Sequence, residues 1–300
     1  MGTAQPRLAV LRVGAFVSLV AASCARLHVM NDDWVAQRPD YHRAAFLPAD
    51  YFMYGRAVFQ PSFVVVHVAQ VSYQGCIDWF RNPRAGVSAH YVVSRTGQVT
   101  QMVKEKDTGF HIGTSLGRLA VGIEHEGFVE DPGAWFTDTM YQASADLIRD
   151  ITQRWGIPRD RCHVIGHDEV PNPDAPCQFG GPERHTDPGK GWDWSKLMRL
   201  MDGSDAPCSY DCTAKTGSIV GVVRTGGLAP SAPVVPGAIV RLATQEVVTD
   251  SLGQYRFDGL ALDGIYLVKV AADGFLPAAQ RQAVELPVDH QNNFALVPAY

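Results

Sequence analysis

The sequence predicts an α/β domain, in which a mixed β-sheet is flanked by helices, followed by a small all-β sandwich. Three observations carry that expectation. Between residues 62 and 201, β-branched runs are followed by a long stretch of helical periodicity. Beyond Gly217 the texture changes to short β-rich runs separated by Gly, Pro and Asp turns. A length of 300 residues also exceeds the usual single domain, so a catalytic-sized domain with a smaller module is the natural division.

At the amino end, Arg7 and Arg12 precede the apolar stretch from Val13 to Ala22. That stretch is too short to span a bilayer and reads as the core of a signal peptide over residues 1–25. Export follows, to the periplasm, the outer membrane as an anchored protein, or the exterior. Cleavage fits after Ser23 or after Ala25. Val20-Ala21-Ala22-Ser23-Cys24 is similar to an imperfect lipoprotein cleavage box, so two readings stand: a lipid on Cys24, or ordinary signal removal, since Ala21 occupies the place usually held by Leu. Membrane association is expected only through that lipid.

An N-terminal extension over 26–61 is rich in Asp, Arg and aromatics. Next, Phe63-Val64-Val65-Val66-His67-Val68 reads as a buried strand whose polar exception is His67. Gln74 to Phe80 suits a short helix. His90–Ser94 and Val99–Val103 flank Arg95-Thr96-Gly97-Gln98, a hairpin signal with Gly in the turn. In Ala120–Glu126, strand alternation puts Val121, Ile123 and His125 on one face and Gly122, Glu124 and Glu126 on the other, so two carboxylates share a face.

Thr137 is placed to cap a helix in which Met140, Tyr141, Ser144, Leu147, Ile148, Ile151 and Trp155 recur at helical spacing, until Gly156 and Pro158 stop it. That stripe is core packing. Val164-Ile165 leads into Gly166-His167, then a Pro- and Gly-rich loop runs to Lys190, and Asp193 caps a last helix through Met201. Residues 202–216 have linker composition. In 217–300, strands are expected at Ser218–Val223, Ala238–Leu242, Gln254–Phe257 and Ile265–Val270, the spacing of a small sandwich.

Hydrophobic residues at 46% and charged residues at 19% provide for a buried core, and a net charge of -5 gives no basic excess for nucleic acid. Six cysteines in an exported chain favour disulfides. Setting Cys24 aside leaves Cys76, Cys162, Cys177, Cys208 and Cys212, so one stays free, and connectivity stays open. No Cys-x-x-Cys pair is present to suggest a structural zinc cluster.

Ten histidines invite metal hypotheses, but no short motif such as His-Glu-x-x-His exists, so spacing alone decides nothing. The segments read together are more specific: Val64-Val65-Val66-His67, Ser88-Ala89-His90-Tyr91-Val92-Val93, Gly122-Ile123-Glu124-His125-Glu126-Gly127, Gly166-His167, and His185-Thr186-Asp187-Pro188-Gly189 with Trp192-Asp193-Trp194. In this combination, over about Ser62 to Leu200, the chain resembles the type 2 N-acetylmuramoyl-L-alanine amidases, whose fold is shared with peptidoglycan recognition proteins and phage amidase-type lysozymes.

The resemblance implies one zinc ion per chain held by His67, His167 and Asp187, with Glu124 as catalytic base. The implied reaction is hydrolysis of the amide between N-acetylmuramic acid and L-alanine, in peptidoglycan or in muropeptides. Two imidazoles and a carboxylate leave a fourth tetrahedral position open, as catalytic zinc requires. Glu126, on the same strand face, is the rival base; His125 points the other way and reads as structural. The alternative function is a peptidoglycan-binding protein that keeps the fold without catalysis, which would need neither the metal ligands nor Glu124.

Two positions depart from relatives. Ala89 stands where phage and recognition-protein members often carry Tyr, so the Glu-using branch is the closer match. His185 stands where that branch commonly carries Lys, and is read either as a catalytic donor to the oxyanion or as a partner of Asp187. His90 and His111 lie in segments that approach the cleft in the family; His111 is read as a substrate contact or as packing, His90 as packing or a cleft residue. The C-terminal module, with Gly237-Ala238, Asp250–Tyr255 and Gly264-Ile265-Tyr266, is similar to carboxypeptidase regulatory-like sandwiches.

Overall fold

The computed structural model describes residues 38–56, 59–172, 174–262, 264–284 and 289–299. The expected signal peptide and Cys24 lie outside the described residues. The first sheet contains β1 (Ala45–Phe46), β2 (Phe63–Val68), β3 (Tyr91–Val93), β4 (Val99–Gln101), β5 (Ala120–His125) and β6 (Val164–Gly166), in the order β1-β4-β3-β5-β2-β6. Only the β3–β4 hairpin is antiparallel, so the sheet is mixed. All six residues of β2 are buried, which is why its sequence is a β-branched run rather than an alternation.

Both faces of the sheet are covered. Helix α1 (Tyr73–Phe80) brings Cys76, Ile77 and Phe80 against Ala89, Val92 and Met102. Helix α2 (Asp138–Trp155) packs Met140, Leu147, Ile148 and Ile151 with Val64, Val66, Tyr91 and Ile123. Its start is fixed by Thr137, whose hydroxyl accepts from the Met140 N–H at 3.1 Å, and its end by Gly156 at φ +68°. Helix α3 (Trp194–Leu200) begins at Asp193, whose side chain caps the Lys196 N–H, and closes the same core with Leu197 and Met198.

Because strand side chains alternate, residues 64, 66 and 68 meet α2, whereas His67 faces the other way. Glu124 lies opposite His67 in the register of β2 and β5 and shares that face. The α2 face is thus core, and the opposite face, at the carboxyl ends of β2 and the edge strand β6, is left for chemistry. A hairpin of β7 (Pro171–Asn172) and β8 (Ala175–Phe179) stands within the loop after β6.

The C-terminal region is a sandwich of β9 (Thr216–Thr225), β10 (Ile239–Leu242), β11 (Gln245–Val248), β12 (Gln254–Ala261), β13 (Gly264–Ala271), β14 (Ala278–Val284), β15 (Asp289–Gln291) and β16 (Phe294–Leu296). One sheet runs β11-β10-β13-β14, the other β12-β9-β15 with β16 also on β9. Four of these eight strands were expected. The others are the Ala- and Gln-rich β14, two three-residue strands without β-branched residues, and β11, whose Gln-Glu-Val-Val is too short to stand out.

The segment of linker composition is not a loose tether. Cys162–Cys208 and Cys177–Cys212 bond it to the first domain at two points, and Cys76 is the free, buried cysteine among the described residues. The sandwich also docks on the amino ends of β2 and β6. Ser62 donates to the Gln291 carbonyl at 3.0 Å, and the Asn293 side chain donates to the Gly156 carbonyl at 3.2 Å. His163 Nε2 lies 3.0 Å from the Asp289 carbonyl, and Phe63 packs between His163 and His290.

Candidate metal and catalytic site

Three polar side chains from separate segments converge beyond the carboxyl ends of β2 and β6. His67 projects from β2, and His167 follows the last residue of β6. Asp187 comes from the loop beyond the hairpin, anchored where its carbonyl accepts from the Asp168 N–H at 2.8 Å. Gly166 makes this approach feasible: a Cβ there would lie 2.7 Å from Pro188 and closer still to Asp168.

The two Nδ1 atoms of His67 and His167 are 3.1 Å apart, and Asp187 oxygens lie 3.3 Å from His67 Nδ1 and 3.4 Å from His167 Nδ1. Tetrahedral bonds of 2.0–2.1 Å require ligand atoms roughly 3.3 Å apart, so this donor set fits a single zinc ion. Among the described residues, it is the one group of His, Cys, Asp and Glu side chains that could hold a metal ion in this way.

Electrostatics agree for His167 and Asp187, whereas at His67 burial lowers the imidazole but Glu124 and Asp187 outweigh it and raise it, so a metal would have to displace its proton. Burial lowers His167 to about 4, keeping the imidazole neutral as a ligand must be. Burial pushes the Asp187 carboxyl up, but hydrogen bonds from His167 and His67 outweigh it and hold the group well below the usual carboxylate range.

Glu124 stands beside this group. Burial raises its carboxyl to about 7, with Asp187 adding and His67 opposing. Its Oε2 is enclosed and has no hydrogen-bond partner. A carboxylate poised near neutrality and free of partners suits a proton carrier. The rival Glu126 sits just past β5, where it accepts from the exposed Arg95 N–H at 2.8 Å, and it does not line the cleft. His125 is buried on the core face between the His67 carbonyl and the Ser144 hydroxyl, each at 2.9 Å.

A cleft of about 1110 Å³ opens over these groups, and His67, His111, Glu124, His167, His185 and Asp187 all line it. His185 stacks on His167 with ring centres 4.0 Å apart and planes 15° from parallel, and its Nδ1 is 3.7 Å from Asp187. His111 brings Nδ1 to 3.0 Å from His67 Nε2. His90 is fully buried behind it, accepting from the Gly122 N–H at 3.0 Å, and does not reach the cleft.

Two further residues belong to this framework: nothing in the sequence singles out Arg56, and Cys76 stands there only as one of the cysteines. Buried Arg56 donates to the carbonyls of Glu105, Arg118 and Ala120, holding the segment that carries His111. Cys76 lines the cleft, where burial and then Glu124 push its thiol up, so it stays protonated and inert. Neither carries a local motif; only the closed fold brings them in.

The chain is similar in sequence to known proteins. The sequence profile of the N-acetylmuramoyl-L-alanine amidases matches residues 57–190, and that of the carboxypeptidase regulatory-like domains matches residues 218–297. N-acetylmuramoyl-L-alanine amidase A of Achromobacter lyticus is 35% identical over 179 residues, which cover 55% of this chain and 96% of that one. The 1,6-anhydro-N-acetylmuramyl-L-alanine amidase AmpD of Haemophilus influenzae is 34% identical over 120 residues, covering 37% of this chain and 57% of that relative's length. Among solved structures, a selenomethionine derivative of AmpD aligns with a TM-score of 0.43 at 26% identity, over 53% of this chain and 94% of its own. With nearly the whole of the Achromobacter enzyme aligned to it, the chain belongs to the N-acetylmuramoyl-L-alanine amidases and is an amidase.

Proposed function

We propose that the cleft hydrolyses the amide joining the lactyl group of N-acetylmuramic acid to L-alanine, with zinc as its metal. The observation that carries this reading is the His67–His167–Asp187 triangle, sized for zinc, with the unpartnered carboxyl of Glu124 beside it. Both the matching family profile and the Achromobacter relative bear the name of that bond.

When bound, zinc polarises the scissile carbonyl and makes water nucleophilic near neutral pH. The protein's own residues do the rest. Glu124 takes a proton from the attacking water, a carbon–oxygen bond forms, and the carbon–nitrogen bond then breaks as Glu124 passes that proton to the leaving nitrogen of L-alanine. The products are the lactyl carboxylate and the protonated amino terminus of L-alanine, which keeps both protons of the consumed water. His185, stacked over His167 and exposed to the cleft, donates a hydrogen bond to the oxygen that becomes negative during attack. Two disulfides fit an oxidising compartment, which supports export.

The direct test is incubation of purified protein with peptidoglycan, with and without a chelator, followed by assay of newly freed peptide amino termini. Release that stops on chelation and returns with zinc is expected. No release by zinc-loaded protein would defeat the reading.

A further inference from the structure

Resting on the reading of His67 as a metal ligand through Nδ1, we infer that His111 is a positioning residue that fixes the protonation and orientation of His67. A neutral imidazole has one N–H. If Nδ1 gives its lone pair to a metal, the hydrogen must sit on Nε2, and a buried N–H needs an acceptor. The atom in place to accept it is His111 Nδ1, at 3.0 Å from His67 Nε2. Among the described residues, no other hydrogen-bond partner is found at His67 Nε2.

Packing rather than a hydrogen bond holds His111 there, since its own Nε2, which carries the ring hydrogen when Nδ1 accepts, is buried without a partner. The rings of His67 and His111 meet at 90°, with centres 5.0 Å apart. His90, itself pinned by the Gly122 N–H, stands edge-on to His111 at 5.6 Å. On the third side lies Gly122, where a Cβ would come within 2.5 Å of His111 Nδ1 and 2.6 Å of Cγ. The backbone at Gly122 has no left-handed φ to demand glycine, so this approach is the reason a side chain is missing there.

Packing alone would be served equally well by a phenyl ring. Acceptance of the His67 proton would not, and the two roles therefore separate experimentally. The zinc affinity of the full chain is measured by competition with a chromogenic chelator, with zinc alone as the probe, for wild type and for His111→Phe, His111→Gln and His111→Ala. Gln retains a carbonyl oxygen that accepts. The inference expects affinity near wild type for Gln and about 10–100-fold weaker binding for Phe and Ala.

Wild-type affinity in the Phe variant would make His111 a packing residue and overturn the inference. Should Phe fail to fold, Gln and Ala carry the decision: equal affinities overturn it, and loss in Ala with retention in Gln supports it. Absence of zinc binding by wild type is a different result, which would defeat the ligand assignment itself.

Discussion

His67 and Glu124 stand directly opposite one another on the neighbouring parallel strands β2 and β5. A one-residue slip in that pairing would turn one of the two into the α2 core, so strand register decides whether both side chains face the cleft. The fully buried hydrophobic set around Val64, Val66, Val121 and Ile123 holds the register.

Metal removal should be felt by the fold as well as by the reaction. A ligand that binds only the native state stabilises it by about 4 kcal/mol when present at a thousand times its dissociation constant. Chelation should therefore lower the melting temperature of the wild type by several degrees, while Asp187→Ala, lacking a ligand, should melt at the same temperature with or without chelator. Differential scanning fluorimetry checks both, and a wild-type melt indifferent to chelator would count against a tightly held metal.

Glu124→Gln should separate catalysis from metal binding. It keeps the shape of the side chain but cannot accept a proton, so turnover should fall by roughly 10²–10⁴ with zinc still bound. In metal-free protein the same change should stabilise. The folded-state value of about 7 is raised, so the native protein binds the extra proton and its stability falls as pH climbs from the ordinary carboxylate range through 7. The ceiling on that cost is roughly 3 kcal/mol. Metal-free Glu124→Gln should thus gain on wild type at pH 8 and show little difference at pH 4, as read by urea denaturation; an equal gain at both pH values would contradict the buried-carboxyl argument.

Much of this arrangement could be read from the chain because periodicity reports local burial. The continuous β-branched run exposed His67 as a polar exception, and the Thr137 cap and Gly156 stop bracketed α2 almost to the residue. Alternation placed Glu124 and Glu126 on one face, but only the structure shows Glu126 occupied by the Arg95 N–H beyond the strand end. What sequence could not show depends on long-range closure: the His111–His67 contact spans 44 positions, and Arg56 reaches carbonyls 49 to 64 residues away. The disulfide pairing was open for the same reason.

The seam between the catalytic region and the sandwich predicts joint unfolding. The Asn293 side chain accepts from the Val222 N–H at 2.9 Å within the sandwich and donates to Gly156 at the end of α2. Asn293→Ala should cost about 1–3 kcal/mol by leaving partly buried backbone groups unpaired. Calorimetry of the wild type should show one cooperative transition, shifted down in the variant. Two separate transitions in the wild type would mean that the sandwich is merely tethered.

The surroundings of His185 favour one of the two readings of it. Its Nδ1 lies 3.7 Å from Asp187 Oδ1, too far for a hydrogen bond that would orient a metal ligand. Its side chain is 43% exposed and lines the cleft, so it can reach substrate. A donor to the developing oxyanion contributes about 10²–10³ to turnover and little to metal affinity. His185→Ala should therefore lose turnover by that factor while binding zinc as wild type does. His185→Lys, which restores an N–H donor on a longer stem, should recover part of the loss. Steady-state kinetics at saturating zinc, paired with the chelator competition, decide the matter: if Ala weakens zinc but leaves turnover at saturating zinc intact, His185 serves Asp187 and the oxyanion donor must be sought elsewhere in the cleft.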